Sequence, residues 1–382
     1  MKEEEKALNT IHIQKISEDK KSINQFIQFE FDHYKDDPDW VPMLISDTRN
    51  TLMGKNNPLF DNGPHAMFMA YDGQKPAGRI LVGIDEVLNK EKGLNQGYFS
   101  MFECIENYQV AKELFDAGVA WLKQKGVSSI IGPLSPSNSD DRKGFVVMGE
   151  GSPVLLNAYT KPYYPEFADR YGFQKNDDHF AYLLKVSELD ASRVERLVNI
   201  AKKRYGFHVD RINKNDLANE AVDIKKVLDT SVLEEWDYLT TPSLQGIIDE
   251  FNSLKLFYNN RYCFIARSEQ DGPVGLVVTL PDYNQVLKKM GGKLFPFGWA
   301  KFLYYRNKIT GVRGITQNVV PEYHNKGVAH AMYFRIFQDC IEQGMEFIEC
   351  SCIDETNIPA RSCIEGVGGK HYRTYRTYRY NF

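Results

Sequence analysis

The sequence lacks the cysteine pattern of a disulfide-stabilised protein, because its six Cys in 382 residues show no paired spacing. Cys350 and Cys352 share one face of a predicted strand, but no further ligands lie at a spacing that suits a metal site. We therefore predict buried free thiols and no bound metal. The charged start, Met1 to Glu5, also lacks the apolar segment of a secretory leader, so we expect a reducing, cytoplasmic location.

An excess of positive charge is also missing. Lys and Arg number 47 against 51 Asp and Glu, which gives a formal net charge of −4. Basic residues near the C terminus alternate with tyrosines in the manner of an amphipathic strand. These residues are Arg373, Tyr375, Arg376, Tyr378 and Arg379. Because binding to nucleic acid requires a basic surface, we expect no nucleic-acid partner.

A long apolar run is absent as well. The segment from Leu294 to Tyr305 is rich in aromatic residues, but its 12 residues are fewer than the ~20 that a helix needs to cross a bilayer. It lies in an insertion, Pro281 to Lys308, that also carries several Lys and Arg. Three interpretations stay open: a lid over a binding channel, packing between domains, or contact with a membrane surface. We favour the first two, because no other membrane anchor accompanies the segment.

The length and an internal repeat predict two domains. The chain exceeds the ~250 to 300 residues at which a single hydrophobic core stops growing. Residues 66–82 and 263–278 both read as hairpins with an Asp-Gly turn near a Pro-x-Gly. Each continues into a strand, an amphipathic helix and a further strand, at a separation of roughly 200 residues. We predict two similar domains, 1–190 and 191–382, of the α/β class with mixed sheets, and a closing strand in each.

A turn before a predicted helix in the second half has the features of an anion site. An apolar run ends at Pro321, Gly327 lies in the polar turn that follows, and apolar residues then recur at helical spacing as far as Gly344. The apolar positions are Ala329, Met332, Tyr333, Ile336, Phe337, Cys340 and Ile341. The first turn of a helix has backbone N–H groups without intrahelical acceptors, and its dipole attracts anions. Phosphate oxygens are the natural ligand.

The turn resembles a known coenzyme-binding loop. The hexapeptide from His324 to Ala329 resembles the coenzyme A loop of the GNAT acetyltransferase superfamily, with His324 where that family has Gln or Arg. Asn357 and Ala360 match the family's Asn-x-x-Ala element. The resemblance implies a tandem GNAT-like protein that uses acetyl-CoA or another acyl-CoA as co-substrate. It further implies coenzyme contacts from Asn318, Val319, Val320, His324, Asn325, Lys326, Gly327, Val328, Ala329 and Asn357. By the same resemblance, backbone N–H groups at the end of the strand before the turn, here Asn318 to Val320, are expected to contact the oxyanion of the reaction.

The first half departs from that loop. At the corresponding position it has Glu106 to Ala111, with no Gly and with an added carboxylate. A Cβ at the point of closest approach and a negative charge both disfavour a pyrophosphate. We therefore expect a degenerate N-terminal copy and a coenzyme site in the second half, and we expect Gly327→Val to weaken coenzyme binding with folding nearly intact.

A catalytic base is harder to identify. Glu349 lies in the apolar run from Met345 to Cys352, where partial desolvation would raise its pKa. We name it as the candidate base, and an ion pair with Arg313 as the more ordinary interpretation. Ile364 occupies the position where the resemblance implies a Tyr acting as general acid.

Together these features predict an acyl-CoA-dependent N-acyltransferase, with acetyl-CoA as the default donor and a small-molecule or peptide amine as acceptor. Two alternatives stay open. One is a catalytically silent coenzyme A-binding or scaffold protein, which the missing Tyr at Ile364 favours. The other is an aminoacyl-tRNA-dependent peptidyltransferase of the tandem GNAT-like type, which the balanced charge disfavours.

Overall fold

A computed structural model describes residues 11–55, 57–136, 140–231, 241–253 and 260–382. The chain divides into two compact units. The first consists of Met1–His179, Leu287–Phe302 and Arg373–Phe382, and the second of Phe180–Val286 and Leu303–Tyr372. Among the described residues, no helix has both the length and the apolar character needed to cross a bilayer.

The described elements up to the end of the seventh strand are β1 Ile11–Lys15, α1 Lys20–His33, α2 Ile45–Leu52, α3 Pro58–Asp61, β2 His65–Asp72, β3 Lys75–Gly83, α4 Glu86–Lys92, β4 Gln96–Cys104, α5 Tyr108–Gln124, β5 Ser129–Leu134, β6 Phe145–Met148, α6 Tyr164–Tyr171 and β7 Gln174–Lys185. Those that follow are α7 Ala191–Tyr205, β8 Phe207–Arg211, α8 Leu217–Ser231, α9 Leu244–Ser253, β9 Cys263–Ser268, β10 Gly272–Pro281, α10 Asn284–Met290, α11 Gly298–Tyr305, β11 Gly311–Val319, α12 Val328–Glu342, β12 Phe347–Asp354, α13 Ile358–Gly366 and β13 Lys370–Asn381.

The sheet of the first unit runs in the order β1-β2-β3-β4-β5. The first four strands are antiparallel to their neighbours, and β4 and β5 are parallel. Helix α5 provides the crossover between these two strands and buries its apolar stripe against the sheet, as the sequence predicts. Gly118 allows the close approach, since a Cβ there would lie 2.9 Å from the Val82 side chain.

The second unit repeats this arrangement. Its strands follow the order β8-β9-β10-β11-β12, with antiparallel pairs as far as β11 and a parallel pair between β11 and β12. Helix α12 is the crossover, and its buried residues include Val328, Met332 and Phe337. The predicted hairpins are present in both units, with Gly73 and Gly272 at φ of +60° and +75° in the turns. Both halves therefore share one order of elements.

The C-terminal strand differs from the sequence-based prediction. We expected Lys370 to Tyr380 to close the second domain, but residues 378–381 pair antiparallel with β5 of the first unit. The Tyr378 side chain packs into the core of that unit and is 1% exposed. A division into repeats at residue 190 stays a prediction, because the units are defined by packing and not by sequence similarity.

Candidate functional site

The predicted anion-binding turn lies between β11 and α12. Strand β11 ends at Val319, a single 3-10 turn covers Pro321–Tyr323, and helix α12 begins at Val328. Two residues of the turn have left-handed backbone conformations, Asn325 at φ +59° and Gly327 at φ +80°. Because Asn and Gly are the residues that adopt this region most readily, the local sequence explains the sharp entry into the helix.

The first turn of α12 has no side-chain cap. Gly327 is the N-cap residue, and no side chain accepts a hydrogen bond from the helix amides at this position. The first helical hydrogen bond runs from the Ala331 N–H to the Gly327 carbonyl at 3.0 Å. The N–H groups of Val328 and Ala329 precede that bond, so they have no intrahelical acceptor. This is the arrangement that binds phosphate oxygens at a helix N-terminus.

The polar side chains of the turn have contacts of their own. The imidazole Nε2 of His324 lies 2.9 Å from the Val319 carbonyl oxygen, which fixes the ring against the end of β11. The Lys326 ammonium lies 4.6 Å from the centre of the Tyr323 ring, and Tyr323 donates a hydrogen bond to Asp271 at 2.7 Å. A fixed cation is thus held near the helix N-terminus.

Helix α7 packs directly against the turn. A Cβ added to Gly327 would lie 2.9 Å from the Ala201 Cβ, and a φ of +80° is strained for any β-branched residue. The expectation that Gly327→Val leaves folding nearly intact is therefore wrong. A usable test of the site has to change another residue of the turn.

Three residues before the turn were predicted to donate N–H groups to the reacting oxyanion. Of these, Val320 already donates its N–H to the Val274 carbonyl at 3.1 Å. The Asn318 side chain bonds to Ser231 at 3.2 Å and to Thr316 at 2.7 Å. Val319, the last residue of β11, pairs with Gly275.

Asn357 has a clear local role. It is the N-cap of α13, where its Oδ1 accepts a hydrogen bond from the Ala360 N–H at 3.1 Å. This contact explains the Asn-x-x-Ala spacing by helix capping alone. Ile364 is 2% exposed in the core of the second unit, so its side chain is packing and takes no part in proton transfer.

Glu349 is fully buried on β12. Its carboxylate lies 3.6 Å from the guanidinium of Arg313, and both side chains are 0% exposed. It also accepts hydrogen bonds from Ser351 at 2.9 Å and from Tyr372 at 3.1 Å. This is the ion pair with Arg313 that we gave as the more ordinary interpretation of Glu349. The role of Glu349 as a base stays a prediction. Among the described residues, no group of three or more His, Cys, Asp or Glu is placed to hold a metal ion.

Two curated proteins are similar to nearly the whole chain. Protein YghO of Escherichia coli K12 is 28% identical over 373 residues, which covers 94% of this chain and 93% of that protein. The bacterial ceramide synthase of Caulobacter vibrioides is 28% identical over 359 residues and is covered to 90%, as is this chain. No family model matches the sequence.

A solved structure decides the fold. The tandem GNAT protein from the clavulanic acid biosynthesis pathway superposes with a TM-score of 0.56 at 8% identity, over 97% of this chain and 98% of that one. This chain has the tandem GNAT fold. The sequence-based prediction of that fold, drawn from the turn and the repeated order of elements, is confirmed.

The corresponding helix start in the first GNAT-like unit has a side-chain cap. Helix α5 begins after Asn107, whose Oδ1 accepts a hydrogen bond from the Gln109 N–H at 3.0 Å. The missing Gly and the added carboxylate of Glu106 were predicted from the sequence, but this cap was not. The signal was present, since Asn is among the preferred N-cap residues.

The first GNAT-like unit also contains a buried acidic network that the sequence analysis missed. Tyr34 and Tyr164 both donate hydrogen bonds of 2.7 Å to the Glu103 carboxylate, which is 5% exposed. Burial raises the pKa of Glu103 to about 7, with the neighbouring Glu30 adding to the shift and Arg79 opposing it. A carboxyl group with this pKa can take up or release a proton near neutral pH.

Glu30 is the second acid of this network and has the opposite character. It forms ion pairs with Arg79 and, through both its oxygens, with Arg142 at 2.9 and 3.0 Å. Although burial opposes ionisation, the two guanidinium groups lower the pKa of Glu30 to about 2. The sequence did contain a signal for these ion pairs. Glu30 lies within the apolar stripe of helix α1, and a buried charge requires a partner.

Proposed function

We propose that this chain is an acyl-CoA-dependent N-acyltransferase, with the coenzyme pyrophosphate bound at the start of α12 in the second unit. The proposal rests on one observation. The first turn of α12, which follows Gly327, has no side-chain cap, and the Lys326 ammonium lies near it. An uncapped helix N-terminus supplies several converging N–H donors, and a nearby cation adds to the attraction. The likeness to a tandem GNAT structure supports the same location by fold alone.

The reaction would form one amide bond and break one thioester bond. A neutral amine attacks the thioester carbonyl carbon and gives up a proton to a base; the C–S bond then breaks, and the sulfur leaves as a thiolate that takes up a proton to become the coenzyme thiol. The protein's part is to hold the thioester next to the amine and to accept charge on the carbonyl oxygen. Asn318 and Val319 at the end of β11 stay the proposed neighbours of that oxygen, and Glu349 the proposed base.

A long-chain amino alcohol is the acceptor class that we propose. The relative from Caulobacter vibrioides is named a bacterial ceramide synthase and is covered to 90%. A ceramide is the fatty amide of a long-chain amino alcohol, so its synthesis is an N-acyl transfer of the kind proposed here. On this basis we propose a long-chain acyl-CoA as the donor, in place of the acetyl-CoA that resemblance to the superfamily alone implies.

The test is a matrix of donors and acceptors with the purified chain. Acetyl-CoA and palmitoyl-CoA are each combined with sphinganine, with a short amino alcohol and with a polyamine, and the amide products are measured by mass spectrometry. Product mass is the better readout because the partly exposed thiols of Cys352 and Cys363 contribute to a thiol-release signal. We expect the palmitoyl amide of sphinganine. Product only with acetyl-CoA and a short amine would contradict the acceptor and donor classes.

A second candidate function is coenzyme A binding without turnover, which two buried side chains favour. Ile364 lies in the core at the position where the superfamily resemblance implies a Tyr, and Glu349 is ion-paired with Arg313. Both observations favour a protein that binds coenzyme A without turnover. Calorimetric titration with coenzyme A, run beside the product assay, separates the two functions: binding with no amide from any pair supports the silent binder, and absence of binding contradicts both.

A further inference from the structure

Aromatic side chains are exposed together in the segment that surrounds helix α11. Phe295 and Phe297 are each 73% exposed, Tyr304 is 61% exposed and Trp299 is 50% exposed. Throughout the part of the chain that the structure describes, every exposed Phe, Trp and Tyr lies in this segment. We call Leu294 to Tyr304 the aromatic patch. Elsewhere the described Phe, Tyr and Trp side chains are buried or half-buried, and a contiguous exposed patch of this kind is typical of an interaction surface.

The backbone presents the patch in a defined conformation. The Leu294 carbonyl accepts a hydrogen bond from the Trp299 N–H at 2.9 Å, and the Phe297 carbonyl accepts one from the Lys301 N–H at 3.2 Å. Gly298 is buried between them, where a Cβ would clash with the Lys293 carbonyl oxygen. The aromatic side chains are therefore fixed on a tight turn and the helix that follows it.

The charge around the patch is all of one sign. From Asn284 to Thr310 the sequence has no Asp or Glu, although the chain as a whole has a net charge of −4. Six cations lie in this stretch: Lys288, Lys289, Lys293, Lys301, Arg306 and Lys308. Two of these cations donate hydrogen bonds to neutral groups, Lys288 to the Ser152 hydroxyl at 2.7 Å and Lys301 to the Lys289 carbonyl at 2.9 Å.

We propose that the aromatic patch binds the surface of an anionic lipid bilayer, in place of the lid or packing role that the sequence alone favoured, because its aromatic side chains are exposed. Phe and Trp side chains insert at the boundary between headgroups and acyl chains, and Lys and Arg beside them attract lipid phosphates. The same charges argue against a second copy of this chain as the partner, because two such patches would bring twelve cations together. The inference does not depend on acyl transfer, although a membrane-bound acceptor amine would be consistent with it.

The experiment uses the full chain and vesicles of stated composition. Sedimentation is measured with phosphatidylcholine vesicles containing about one third phosphatidylglycerol and with pure phosphatidylcholine vesicles, each at low and high salt. We expect binding to the anionic vesicles that weakens with salt. Trp299 gives a second readout, since its fluorescence should shift to the blue on binding and the shift should disappear in Trp299→Phe.

Matched variants separate the aromatic and the charged contributions. Phe295→Ser with Phe297→Ser should weaken binding roughly tenfold or more, because two apolar side chains no longer enter the interface. Lys289→Gln with Lys293→Gln should weaken it by roughly fivefold for each charge and reduce the salt dependence. The control is Val222→Ser with Ile341→Ser, which removes side chains that are 52% and 51% exposed elsewhere, and it should bind like the parent.

Three outcomes would overturn the proposal. One is an absence of binding to anionic vesicles, and another is equal, salt-independent binding to neutral vesicles. The third is unchanged binding in Phe295→Ser with Phe297→Ser. If ultracentrifugation shows a dimer that these two substitutions dissociate, and vesicles are not bound, the partner is a second copy of the chain and not a lipid.

Discussion

The two units have the same strand-turn-helix element, but its helix has a side-chain cap at the N-terminus in the first unit and none in the second. In the first unit Asn107 caps α5 with its own side chain, whereas in the second unit Gly327 has no side chain and α12 begins uncapped. The residue at the N-cap is thus one difference between the two helix starts: a side chain of the protein accepts an amide in the first unit, and none does so in the second.

Their buried acids differ as well. Glu349 in the second unit faces a buried cation, Arg313, while Glu103 in the first unit accepts hydrogen bonds from two tyrosines. Burial raises the pKa of Glu103 to about 7, although the hydrogen bonds from the two tyrosines act in the opposite direction.

The largest effect is expected from Glu349→Gln. This substitution removes the carboxylate that pairs with the buried Arg313 guanidinium, and breaking a buried pair in this way costs about 3 to 5 kcal/mol of unfolding free energy. Chemical denaturation monitored by circular dichroism measures the loss. The control is Glu349→Gln combined with Arg313→Met, which removes both charges and should recover most of the stability.

A stability equal to that of the parent in Glu349→Gln would mean that the pair is not holding the core. The same variant tests the proposed base, provided that enough folded protein remains. If Glu349 accepts the amine proton, the rise of rate with pH should be flattened in Glu349→Gln; an unchanged profile would remove it from the reaction.

The second largest effect is expected at the open turn. Ala329→Glu places a carboxylate in the first turn of α12, where it should cost coenzyme A binding about 2 kcal/mol, or roughly thirtyfold in affinity, by repulsion of the pyrophosphate. The helix dipole favours an acid at this position, so stability should be unchanged or slightly raised. Ala329→Gln is the neutral control of the same size. Equal affinity of the Glu and Gln variants, measured by calorimetry, would place the pyrophosphate elsewhere.

The sequence made this turn predictable because its features are local. The strand that ends before Pro321, the turn at Gly327 and the helical spacing after it all lie within one short stretch of sequence. The hairpin turns at Gly73 and Gly272 are likewise each specified by a few neighbouring residues. The fold was predicted from the resemblance of the turn, and of the order of such elements, to the GNAT superfamily. Local patterns of this kind are the part of structure that a single sequence specifies most strongly.

Contacts between distant residues were not predictable in the same way. Ala201, far from the turn in sequence, makes Gly327→Val unsuitable, and Glu30 meets Arg142 across more than a hundred residues. The C-terminal strand was misplaced for the same reason, since the partner of residues 378–381 is β5. These contacts depend on tertiary packing, which leaves no local pattern in the sequence.

The third prediction concerns pH and the acid of the first unit. The folded pKa of Glu103 is about 7 and its ordinary value is 4.5, so the folded state holds the proton more tightly than the unfolded state does. Stability should therefore fall as pH rises from about 4.5 to 7. Glu103→Gln cannot ionise and keeps an oxygen for both tyrosine hydroxyls, so it should be more stable than the parent above pH 7 by about 1 to 3 kcal/mol.

The measurement is denaturation of both proteins at several pH values between 4 and 8. Their stabilities should be similar near pH 4 and should diverge as the pH rises. Glu30 works in the opposite direction, since its lowered pKa gives stability that is lost only as the pH falls from about 4.5 toward 2, outside the range tested. A constant difference between the two proteins across the range would show that Glu103 does not titrate there.

The smallest effect is expected from opening the cap of the first unit. Asn107→Ala removes the acceptor of the Gln109 N–H and should cost about 1 kcal/mol, the usual value for an N-cap. It should not create a coenzyme site, because the carboxylate of Glu106 remains beside the freed amides. Asn107→Ala with Glu106→Gln removes both obstacles and so sharpens the comparison. If calorimetry of that double variant shows two coenzyme equivalents where the parent shows one, cap and charge alone separate the copies; a single equivalent means that the strand before the turn also differs.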